Sequence, residues 1–123
     1  MKPRPPLERD VQRRVVALLK SAGFTVYSLS QGYRPGGRGH GTTRQTKGLP
    51  DLYAMSPRLF LWVEVKRLGG KQTPEQVEFE ADCRACGIPY VLGGYREVLE
   101  WLIARDVWRL PPGVTLDDVA PDA

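Results

Sequence analysis

The sequence predicts an α/β domain whose elements run in the order α-β-β-β-α-β-α. Three observations carry that prediction. They are an amphipathic stretch over residues 7–22, four short runs rich in β-branched and aromatic residues, and a helix-start signal at Thr73-Pro74-Glu75-Gln76. At 123 residues the chain has room for one domain, and a domain of that size buries roughly two-thirds of its unfolded surface without a disulfide framework or structural metal. Its 41% hydrophobic and 26% charged residues are the balance of a soluble globular chain. The densest apolar stretch, residues 59–65, is of strand length, far below the roughly 20 residues of a membrane span.

Each element has its own reason. On a helical wheel Leu7, Leu18, Val11, Ala22, Val15 and Leu19 share an arc of about 120°, and Gly23 stands where a C-terminal stop belongs. Glu8 projects inside that arc, with Gln12 at its edge, and a carboxylate among apolar side chains requires a partner. Residues 24–30 (FTVYSLS) read as the first strand and residues 51–55 as a short second one. Residues 59–66 form the third and strongest, whose LFLWVEV run predicts burial on both faces. Thr73 is the expected N-cap, Pro74 the first helical position and Gln76 the capping-box partner of a helix that ends at Gly87. Residues 88–92 make a fourth strand and residues 96–104 a third helix. The expected division is a domain over 1–105 and an irregular, loosely held tail over 106–123, rich in Pro and Asp.

Charge is unevenly spread. Residues 1–47 hold ten Lys and Arg against Glu8 and Asp10, whereas the remainder holds eight against twelve acids, leaving the net +4. A basic half on an otherwise acidic chain points to a polyanionic partner. Residues 31–50 lack apolar periodicity and contain six glycines with Arg34, Arg38, Arg44 and Lys47, a composition suited to contacts with a phosphate backbone. The single histidine, His40, lies in the same segment. Cys83 and Cys86 fall late in a helix, opposite to the placement a redox motif needs, and with one distant histidine they do not make a zinc set. Two cysteines and no export signal at the N-terminus make the cytoplasm the expected location. The glycines complete no G-x-G-x-x-G or Walker A pattern, so no nucleotide cofactor is expected.

The chemistry concentrates at Gly48-Leu49-Pro50-Asp51 and Glu64-Val65-Lys66. Strand alternation puts Glu64 and Lys66 on one face, and a hairpin of the second and third strands sets Asp51 beside Glu64. Two carboxylates that close repel unless a cation lies between them. Mg²⁺ or Mn²⁺ meets that need, with the Val65 carbonyl as a further oxygen donor. Such an ion activates water and polarises a phosphodiester, and Lys66 is placed to orient the water or balance developing charge.

Asp51 with Glu64-Val65-Lys66 matches the PD-(D/E)xK nuclease signature, Pro50-Asp51 being its literal PD. Together with Glu8, Gln12, residues 47–52, 62–66, 73–76 and the step at 87–91, the chain resembles the VRR-NUC family of that superfamily over about residues 7–104. The resemblance implies an α-β-β-β-α-β core with a mixed central sheet flanked by helices. It further implies metal ligands at Asp51 and Glu64, an assisting acid at Glu8, a catalytic lysine at Lys66 and a supporting amide at Gln76. Small stand-alone members resemble Holliday junction resolvases and act as homodimers on branched DNA. The expected activity is therefore metal-dependent, structure-specific DNA cleavage. The alternatives are a nickase, flap or restriction-type nuclease on the same site, or a module that holds structured DNA without cutting it.

Overall fold

The computed structural model describes residues 7–29 and 46–121. The chain runs α1 (Glu8–Ser21), β1 (Thr25–Ser28), β2 (Leu52–Met55), β3 (Phe60–Val65), α2 (Pro74–Ala85), β4 (Tyr90–Gly93), α3 (Tyr95–Ala104) and a single helical turn, α4 (Leu116–Val119). The four strands form one sheet in the order β1-β2-β3-β4. The β1–β2 and β2–β3 pairs are antiparallel and β3–β4 is parallel, joined through α2. The α/β class and the mixed sheet flanked by helices are as the sequence predicts.

α1 buries Val11, Val15, Leu18 and Leu19, the stripe its 3.6-residue period selects. It closes in a Schellman motif: Gly23 N–H donates to Lys20 O and Phe24 N–H to Leu19 O, with Gly23 at φ 92°. Leu19 and Phe24, the apolar pair of that motif, are both buried in the core. α2 begins with the full capping box, Thr73 Oγ1 accepting from Gln76 N–H at 3.2 Å and Gln76 Oε1 accepting from Thr73 N–H at 2.8 Å. It closes as α1 does, Ile88 N–H donating to Cys83 O.

The two faces of the sheet differ. Leu52 and Ala54 of β2, Leu61, Val63 and Val65 of β3, and Val91 of β4 point into the main core together with buried side chains of α1 and α3. The alternate positions carry a ladder of rings in edge-to-face contact: Tyr53 with Trp62 at 4.8 Å between centroids, and Trp62 with Phe79 of α2 at 5.3 Å. β3 is thus buried on both faces only in its second half. Phe60 is 43% exposed and Trp62 half-buried, because the outer face at that end meets solvent.

The C-terminal segment also departs from expectation. It carries α4, capped by Thr115 Oγ1 accepting from Asp118 N–H, and it buries Ala120 in the core. Arg96 of α3 holds it, pairing with Asp117 and donating to the Ala120 carbonyl at 2.8 Å. A stretch rich in Pro and Asp reads as loose because its anchors lie on another helix.

Candidate active site

The site forms where β2 begins and β3 runs out. Trp62 and Lys66 donate their N–H groups toward β4, to Pro89 O and Gly93 O. By alternation Val63 and Val65 turn their backbone groups toward β2. The ladder with β2 ends at the Leu52–Val63 pair. Val65 is therefore left with an N–H that no β2 backbone group meets, and Asp51 Oδ2 accepts it at 2.8 Å. The same geometry turns the Val65 carbonyl toward the Asp51 side.

Asp51 is positioned from both directions. Its carbonyl accepts from Leu29 N–H at 2.8 Å, extending the β1–β2 pairing, and the preceding Pro50 is fully buried. Further back, Gly48 at φ 93° lies so close to the α2 backbone that a Cβ there would meet Glu75 O at 2.4 Å. Only glycine permits the 46–50 turn to seat on the start of α2.

Glu64 is 1% exposed, the one charged residue buried among the described residues. Its Oε2 lies 3.6 Å from Lys66 Nζ, while Oε1 is buried with no hydrogen-bond partner among them. Burial, then the hydrogen bond and negative charge of Asp51, push the Glu64 carboxyl up to about 8 against the opposing pull of Lys66. Without a cation the Glu64 carboxyl keeps its proton at neutral pH. A buried acid with an orphaned oxygen beside a second acid and a lysine has the donor chemistry of a hard-cation site.

The other predicted site residues are less gathered. Glu8 opens α1 and is exposed, without a hydrogen bond or ion pair among the described residues, so the partner that the helical wheel demands is not needed. Leu7, expected in the same apolar arc, is the N-cap of α1 and is 48% exposed. No group of three acid, histidine or cysteine side chains converges among the described residues. Gln76 commits its carbonyl oxygen to the capping box. Lys47 is exposed in the turn before Asp51. Arg34, Arg38 and Arg44 lie outside the described residues.

The structure adds Tyr90, which sequence reasoning treats only as part of a strand. Its phenol is raised by burial and then by the nearby Glu64 charge, and it accepts from Gln72 Nε2 at 3.3 Å. The same amide donates to Glu80 of α2 at 3.0 Å. The available signal was register, since Tyr90 pairs with Trp62 and so shares the face of Glu64.

No helix among the described residues is long and apolar enough to cross a membrane. No family model matches the chain, and no curated protein matches it. Among solved structures, one described as "VRR_NUC domain" is similar at a TM-score of 0.59 and 25% sequence identity, over 79% of this chain and 94% of its own. That likeness covers most of the chain, and it supports reading the fold that brings Asp51, Glu64 and Lys66 together as similar to a nuclease-type domain of the VRR-NUC family.

Proposed function

We propose that the chain is a metal-dependent, structure-specific DNA endonuclease that acts as a homodimer on branched DNA, in the manner of a Holliday junction resolvase. The observation that carries the reading is the buried, unpartnered Oε1 of Glu64 beside Asp51. Asp51, Glu64 and the Val65 carbonyl offer the oxygen set that Mg²⁺ or Mn²⁺ prefers, and Glu8 joins through water from the exposed first turn of α1. When bound, the ion lowers the pKa of a water and polarises the phosphodiester.

The protein's own groups do the rest. With a cation bound, Glu64 would release to solvent the proton that its burial retains, and Asp51 keeps its orientation through the Val65 N–H. Lys66, 16% exposed at its side chain, holds its ammonium beside Glu64, where it orients the attacking water or balances charge on the phosphorus. The Gln76 side chain supports the site from the α2 start through its amide nitrogen. Arg34, Arg38, Arg44 and Lys47 contact backbone phosphates, fixing position rather than sequence. Two sites at a fixed spacing, as a twofold dimer supplies, are what symmetric incision of a junction requires.

The test is cleavage of four-way-junction, flap, nicked and linear DNA with Mg²⁺ or Mn²⁺, alongside a solution mass measurement. Asp51→Asn and Lys66→Ala are each expected to lower the rate by roughly 10²-fold or more. Cleavage that survives both substitutions overturns the reading.

A further inference from the structure

A cleft of about 440 Å³ opens beside the carboxylates, between α1, the carboxyl ends of β3 and β4, the first turn of α3 and the segment after α4. Lys66 belongs to both places, its ammonium turned to Glu64 and the residue lining the cleft next to Arg67. Arg14 enters from α1, its guanidinium 4.5 Å from the centroid of the Tyr95 ring. That stacking holds a cation at the cleft wall without neutralising it.

The charges around the cleft do not cancel. Arg14 and Arg67 have no acidic partner among the described residues. The one acid of the wall, Glu97, spends Oε1 on the Gly94 N–H at 2.8 Å. Arg96 is held by Asp117 and the Ala120 carbonyl. Gly94 provides no side-chain acceptor for the first turn of α3, and Glu97 is the one acid set against the positive end of that helix. The carboxyl ends of parallel strands are also where open α/β sheets place ligands.

We propose that Arg14 and Arg67 hold a backbone phosphate of the bound DNA strand, adjacent to the phosphodiester cut at Asp51, Glu64 and Lys66. The inference rests on the nuclease reading above and adds a second phosphate subsite on the far side of Lys66 from that cut. The contact is to the backbone, so it strengthens binding regardless of base sequence. It also sets which phosphate lies over the carboxylates.

The experiment is fluorescence anisotropy of a labelled four-way junction and a linear duplex, in EDTA, across a range of salt. Each phosphate contact contributes about 0.9 to the slope of log K against log salt. Arg14→Gln/Arg67→Gln is expected to flatten the slope by about 1.8 on both DNAs. Arg58→Gln/Arg109→Gln, which removes the same charge elsewhere, is expected to leave it unchanged. Equal slopes for the two double variants overturn the proposal. Where Arg14→Gln compromises folding, Arg67→Gln alone, at an exposed position, is expected to cost about 0.9, and an unchanged slope overturns the proposal. Wild-type cleavage with equal slopes removes the subsite alone. A slope loss without cleavage under either metal removes the nuclease reading and leaves the subsite standing.

Discussion

The two faces of β3 are built from alternate residues of one six-residue strand and do opposite things. Leu61, Val63 and Val65 are fully buried in the aliphatic core with α1 and α3. Phe60, Trp62 and Glu64 occupy the other face, moving from exposed ring to half-buried ring to fully buried carboxylate along about 13 Å of strand. The first face is made of groups that lose nothing by leaving water. The second ends in a group that loses a great deal, and it keeps its polar chemistry only because Asp51 and Lys66 meet it there. Stability and reactivity are thus separated across the sheet by the period-2 alternation of the strand.

Substitutions on the two faces are expected to separate in the same way. Leu61→Ala removes a fully buried side chain and is expected to destabilise the fold by ~2–5 kcal/mol, whereas the neighbouring Phe60→Ala, half in solvent, is expected to cost about 1 kcal/mol or less. Urea unfolding of both variants checks the contrast, and similar losses would mean that the outer face is covered. The next largest effect concerns Glu64 and pH. Its carboxyl titrates at about 8 in the folded chain against 4.5 unfolded, so between those values the folded state holds the extra proton. Stability of the metal-free protein therefore falls as pH rises from about 4.5 through 8. Glu64→Gln is expected to remove that decline, so that the variant melts above wild type at pH 9 in EDTA and close to it at pH 4.5. Parallel pH profiles would show that Glu64 does not titrate in this window. The smallest effect is at the start of α2, where Thr73→Ala is expected to cost ~1 kcal/mol through loss of the cap, measured by thermal unfolding. That change lies off the strand and is expected to shift stability without altering its pH dependence.

Much of this was legible in advance because it is local. The α1 stripe, the capping box at Thr73 and Gln76, and the glycine stops at 23 and 87 each depend on residues within a turn or two of one another. The Asp51 and Glu-x-Lys set was equally legible, since two acids and a lysine at strand ends leave a charge that local pairing does not cancel. Glu8 was less so: the helical wheel assigns a direction to a side chain but not whether another element packs against it, and Glu8 is exposed. The anchoring of the C-terminal segment and the presence of Tyr90 beside Glu64 were hidden for a related reason, since both depend on which distant element lies opposite.

By itself the sequence determined the order of elements, the alternation of β3 and the chemical character of the site. These follow from backbone periodicity and side-chain type, which act over a few residues. Only the tertiary structure decided that the β2–β3 ladder stops at Val63, one residue before Glu64, leaving the Val65 N–H to Asp51. It alone sealed Glu64 Oε1 from water and set Arg14 of α1 across a cleft from Arg67. Those outcomes depend on how far each strand extends and on what packs over it, and burial in a folded chain is a property of neighbours rather than of the residue buried.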